Sequence, residues 1–150
     1  MSMLIYEDKA VYDTWLKVVL VVVLAIPTIL AISRIARNTE EGLAGFGVLL
    51  FIIILFRIIL PRRFQVYDDK LRIILGGGPF AFNIPLDDIR EVKPRKGIQA
   101  FLYTGLRFAT SANHTVEINR KNGLDVLISP ANDEVFIEHL NQARKTMLGE

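Results

Sequence analysis

The chain has 150 residues, 51% of them apolar, and a formal net charge of +2. A charge that small gives no argument for a nucleic-acid partner. With no cysteine there are no disulfides, thiolate metal sites or cysteine nucleophiles, and the redox compartment cannot be read from thiols.

The apolar residues are concentrated in two runs, Leu16 to Ile32 and Leu43 to Leu60. A helix crossing a bilayer core needs about 20 apolar residues, with a lower limit of about 17. Spans at about 15–33 and 43–60 are therefore expected, as a membrane hairpin within residues 1–60. A cleaved signal peptide should begin with a positive segment, whereas Glu7, Asp8 and Asp13 outnumber Lys9 here, so the first run reads as an uncleaved anchor. Trp15 and Lys17 stand at its entry and Arg34 at its exit, as interfacial residues do. Pro27 reads as an ordinary kink, tolerated where neighbours satisfy the freed carbonyl.

The loop from Ser33 to Gly42 is short enough to force an antiparallel hairpin, and Gly42, Ala44, Gly45 and Gly47 allow close helix approach. Arg57 lies four residues before Pro61 and reads as snorkelling to the interface. Lys9, Lys17, Arg57, Arg62, Arg63, Lys70 and Arg72 flank the outer ends of the spans, against Arg34 and Arg37 in the loop. That bias places both termini in the cytoplasm of an integral membrane protein, in a bacterial inner (plasma) membrane.

Residues 61–150 read as a cytosolic domain of short strands and one helix. Seven strands are expected: Phe64–Tyr67, Leu71–Leu75, Phe80–Ile84, Ile89–Pro94, Leu106–Thr110, Thr115–Arg120 and Leu124–Ile128. Asn122-Gly123 signals a two-residue hairpin turn. Phe136, Leu140, Ala143 and Met147 recur at helical spacing, after Ser129 or Asn132 as cap and with Asp133 and Glu134 at the positive end. The helix must bury this stripe against an open end or face of the sheet.

The stretches Arg63-Phe-Gln-Val-Tyr-Asp-Asp-Lys-Leu-Arg-Ile-Ile-Leu, Ile84-Pro-Leu-Asp-Asp-Ile-Arg-Glu-Val, Gly105-Leu-Arg, Asn122-Gly, Ile128-Ser-Pro and Phe136-Ile-Glu-His-Leu together resemble the bacterial PH-like (pleckstrin-homology-like) domain family with two N-terminal transmembrane helices. The resemblance implies an α+β fold: a seven-stranded antiparallel barrel or sandwich capped by a C-terminal helix, behind a membrane α-helical hairpin. It implies no catalytic activity. Eukaryotic relatives carry basic lipid-binding residues in the first hairpin, where this chain has Asp68-Asp69-Lys70, a departure that argues against inositol-lipid recognition.

Candidate chemistry is sparse. The glycines at 76–78 precede Pro79 and a strand rather than a helix, so they read as a turn and not a phosphate cradle. His114 and His139 lack a third ligand at metal spacing. Asp87 and Asp88 read as a turn or cap, and Ser111 carries no nucleophile motif. No enzyme, cofactor or metal is expected.

Arg62, Arg63, Arg72, Lys93, Arg95 and Lys96 form a basic juxtamembrane set, with Phe101 and Leu102 in an apolar stretch beside it. Two readings stand for that set. It is either a topological bias on a solvated surface or a docking patch for anionic headgroups, each basic residue contributing about 1 kcal/mol. The expected function is a non-catalytic, membrane-anchored interaction or assembly module. The alternative is a peripheral sensor of anionic lipid. The expected partners are the bilayer and other membrane proteins or a second copy of the chain, with no nucleic acid.

Overall fold

The computed structural model describes residues 2–35, 39–77, 79–97 and 102–149. Two long helices come early, α1 (Thr14–Ile35) and α2 (Thr39–Ile59). Both are long and apolar enough to cross a membrane, and only 6% of the most apolar stretch of each is buried. They pack on one another through small residues. A Cβ on Gly45 would sit 3.1 Å from that of Ala31, and one on Gly42 would collide with Ile35, whereas Gly47 faces open space. Pro27 removes an intrahelical donor. One residue on, the Thr28 hydroxyl donates to the Leu24 carbonyl at 2.6 Å.

Among the described residues there are eight strands, not seven, in two four-stranded sheets that do not close into a barrel. The first sheet runs in chain order: β1 (Leu4–Lys9), β2 (Pro61–Tyr67), β3 (Lys70–Leu75) and β4 (Ala81–Pro85), all antiparallel. The second comprises β5 (Ile89–Arg95), β6 (Leu106–Phe108), β7 (Thr115–Arg120) and β8 (Val126–Ile128), in the order β5-β7-β8-β6. Its β6–β8 pair is parallel, so the all-antiparallel expectation fails there. A 3₁₀ turn at Leu86–Asp88 separates β4 from β5 and starts the second sheet.

The additional strand is β1, which precedes the first long helix in sequence yet pairs with β2. The Asn122-Gly123 turn is also looser than expected. β7 ends at Arg120 and β8 begins at Val126, and side chains rather than a tight ladder hold the connection. The Asp125 carboxylate accepts from Arg120 N at 2.8 Å, and Asp88 accepts from Asn122 N at 2.8 Å. Gly123 supplies the positive φ of 99° that this path requires.

The chain closes on α3 (Asp133–Leu148). Its cap is Asn132, whose side chain accepts from Val135 N. Ser129, the other expected cap, is instead buried against Thr110, with their hydroxyl oxygens 3.1 Å apart. Phe136, Leu140 and Ala143 of α3 join Phe64, Leu71, Ile84, Val116 and Ile128 in one core between the sheets. Fully burying one such side chain stabilises the fold by roughly 1.5–3 kcal/mol. Edge-to-face contacts of Phe136 with Phe64 (6.2 Å) and Tyr6 (6.3 Å) tie α3 to the first sheet.

Candidate functional site

The informative region is the junction where both apolar helices meet the two sheets. Residues 10–13 lead from β1 into α1 and are bonded through their main chain to both sheets. Ala10 N donates to Arg62 O (3.0 Å), Val11 N to Ser129 O (3.0 Å) and Asp13 N to Thr110 O (3.1 Å). The Tyr12 hydroxyl adds a bond to Pro61 O at 2.5 Å.

Asp13 is the anchor of this segment. Ser111 Oγ donates to one carboxylate oxygen at 2.6 Å and Ala112 N to the other at 2.7 Å. Burial pushes the Asp13 carboxyl up, but those two bonds, one from Trp15 and the nearby His114 together hold it below the usual carboxylate range. Ser111 also accepts from Asn113 N and His114 N, and it is 1% exposed. Its hydroxyl serves the junction and is not presented to solvent.

The second helix is seated just as closely. Gly76 N donates to Leu60 O at 2.9 Å, with Gly76 at φ 58°. A Cβ there would overlap the Arg57 carbonyl oxygen and lie 2.9 Å from Ile58 Cα. Gly76 and Gly77 thus form a turn, as expected, and Gly76 is also the seat for the end of α2; Gly78 lies outside the described residues. Arg57 reaches over it, with Nε 3.6 Å from where a Gly77 Cβ would stand. Tyr12, Arg57, Arg62 and Gly77 line an open cavity of about 360 Å³ at this junction.

The structure separates the basic set read from the sequence. Arg63 and Arg72 stand on the outer face of the first sheet, since Phe64, Val66, Leu71 and Ile73 between and beside them are buried. Arg62 is exposed at the junction. Lys93, Arg95 and Lys96 belong to β5 and the turn after it. Several of these cations have carboxylates beside them. Arg63 pairs with Glu7 at 2.8 Å, Lys93 with Glu91 at 2.8 Å, Arg95 with Glu117, and Lys96 with Asp133 at 3.6 Å. Lys93 accordingly holds the Glu91 carboxyl below its ordinary value.

Arg95 and Leu102 do come together, as walls of a polar cavity of about 390 Å³ with Tyr103, Glu117 and Asp125. The Arg95 guanidinium lies 5.7 Å from the centre of the Tyr103 ring. Burial, then the charges of Asp125 and Glu117, push the Tyr103 hydroxyl well above the usual phenol range, so it stays a donor. Leu102 is 76% exposed at the rim. Phe101 lies outside the described residues.

A site the sequence reading missed is the buried pair of Asp88 and Arg120, 2.7 Å apart. Burial pushes the Asp88 carboxyl up, but the Arg120 and Asn122 bonds and the Arg120 charge hold it below its ordinary value. Asp87 remains exposed, so the two adjacent carboxylates do not converge. The histidines are also apart. His139 stacks on Tyr6 at 4.5 Å, while His114 Nδ1 lies 3.9 Å from Asp133. Among the described residues no group of three or more His, Cys, Asp or Glu is placed to hold a metal ion.

Two four-stranded sheets enclosing one core, with a C-terminal helix packed into it, define a PH-like domain. The family model described as "Bacterial PH domain" matches residues 62–144, more than half of the chain, and the chain belongs to that family. No curated protein and no solved structure matches.

Proposed function

We propose that this chain is a non-catalytic, membrane-anchored interaction module. On this reading α1 and α2 cross the bilayer and hold the PH-like domain against its cytoplasmic face. The observation that carries it is the junction. Two apolar helices, all but unburied, leave the domain through main-chain hydrogen bonds rather than a free linker. Apolar surface on that scale is stable in hydrocarbon and not in water. A platform fixed in this way presents its sheets and the Tyr103 cavity to other proteins at a defined height above the lipid. The excess of Lys and Arg at the domain side of both helices favours the cytoplasmic orientation.

The natural absence of cysteine makes the test direct. Single variants Ser2→Cys, Glu41→Cys and Lys145→Cys would be exposed to a membrane-impermeant maleimide in intact cells. Only Glu41→Cys should label before lysis. Labelling of Lys145→Cys from outside refutes the orientation, and extraction of the chain by alkaline carbonate refutes the anchoring. Purification in mild detergent tests the interaction: a bare monomer with nothing cross-linked to it counts against a platform.

A further inference from the structure

We infer that the junction cavity bounded by Arg57 and Arg62 holds the phosphate of one anionic phospholipid, with an acyl chain lying along the end of α2. The inference rests on the reading that α1 and α2 span a bilayer, and adds to it a defined lipid site.

Three observations support it. First, Arg57 and Arg62 line one cavity, and among the described residues neither has a carboxylate within ion-pair distance. Four of the other five residues of the basic set, Arg63, Lys93, Arg95 and Lys96, are ion-paired, which leaves the charge of Arg62, beside Arg57, available to an anion. Second, the depth is right. Arg57 sits in the last turn of α2, and Trp15 at the start of the antiparallel α1 is 45% exposed, a residue type that settles at headgroup level. Third, Arg57 also borders a neighbouring cleft of about 190 Å³ whose other walls are apolar: Ile54, Ile58, Pro79 and Phe80. Phe80 is 52% exposed there although it follows a turn and belongs to no strand. One arginine therefore stands between a cationic cavity and an apolar trough running toward the middle of α2. A phospholipid has the same order, anion then hydrocarbon.

The chemistry selects among headgroups. Two fixed cations favour a phosphodiester in a headgroup of net negative charge and disfavour one that carries its own ammonium group. Arg suits this task because its planar fork donates two parallel bonds to phosphate oxygens. Gly77 keeps the mouth of the cavity open, having no side chain to fill it.

Native mass spectrometry of the full-length chain released from detergent, titrated with phosphatidylglycerol or phosphatidylcholine, tests the site. One phosphatidylglycerol should be retained per chain, in clear preference to phosphatidylcholine. Arg57→Gln and Arg62→Gln should each weaken retention about fivefold and the double variant about 25-fold, from about 1 kcal/mol per cation. Arg57→Lys should retain most of it, and Lys145→Gln on α3 should change nothing. Equal retention by wild type and the double variant overturns the site, as does equal retention of the two lipids by wild type, a measurement that needs no variant. Displacement of the lipid by millimolar inorganic phosphate would mean a soluble anion instead, and would overturn the lipid as occupant. Reconstitution separates the two proposals: a chain that fails to enter phosphatidylglycerol vesicles refutes the spanning reading, and one that enters without discriminating between lipids refutes only the site.

Discussion

Gly76→Ala should loosen the seat of α2 on the domain, and the structure sets the size of the effect. Gly76 has φ 58°, a left-handed conformation that costs a residue with a Cβ about 1–2 kcal/mol. The added Cβ would overlap the Arg57 carbonyl oxygen, which is main chain and cannot rotate away. Relief requires α2 to lift, which breaks the 2.9 Å bond from Gly76 N to Leu60 O, worth about 1 kcal/mol. The sum is about 2–3 kcal/mol. Gly97→Ala is the matched control, because Gly97 has φ 69° but nothing within 4 Å of a Cβ, so it bears the conformational cost alone. For a domain of this size 1 kcal/mol shifts Tm by roughly 4–8 °C. Thermal unfolding of the full-length chain in detergent, followed by far-UV circular dichroism, should therefore place Gly76→Ala about 10 °C or more below wild type, with Gly97→Ala roughly midway. A Gly76→Ala chain that melts no lower than Gly97→Ala would refute the claim that helix end and glycine turn are in rigid contact.

Other outcomes follow from the carboxylates. Asp88→Ala strands Arg120 and frees Asn122 N, so it should cost about 3–5 kcal/mol in chemical denaturation, whereas Asp87→Ala at the exposed neighbour should stay within about 0.5 kcal/mol. Comparable losses at the two positions would remove the buried pair from the account. The Asp13 and Asp88 carboxyls are both held below their unfolded values, so their stabilisation is complete above about pH 4 and drains away as pH falls through the lower folded values. An acid titration of Asp88→Asn should show a shallower loss of stability below pH 4 than wild type; superimposable curves would argue against the linkage.

What the sequence made legible was local. The two apolar runs were plain because each lies in one continuous stretch, and helix α3 was plain because Asn132, Asp133 and the Phe136–Leu140–Ala143 stripe sit within a few turns. The positions of most strands after Pro61 followed from alternation and turn residues. What escaped depends on partners distant in the chain. β1 is a six-residue edge strand carrying Glu7, Asp8 and Lys9, which read as flanking charges; it becomes a strand only because β2 lies beside it. The basic set looked like a patch because the carboxylates that answer it, Glu7 for Arg63 and Glu117 for Arg95, come from other strands. Asp13 and Ser111 gave no sign of one another, being 98 residues apart in sequence. The open sheet arrangement and the parallel β6–β8 pairing likewise depend on how strands associate, which periodicity along one strand does not encode.

Residue 10 donates to residue 62, and residue 76 grips residue 60, so the polypeptide departs for its helical excursion and comes home within a few ångströms of the same spot. A hinge requires slack, and there is none at this doorway. A tilt of the paired helices must therefore pass into the sandwich as torque, with Val11 and Asp13 pulling on Ser129 and Thr110 while Ala10 pulls on Arg62. Force applied to the two helices would be felt first at the seam between the two sheets.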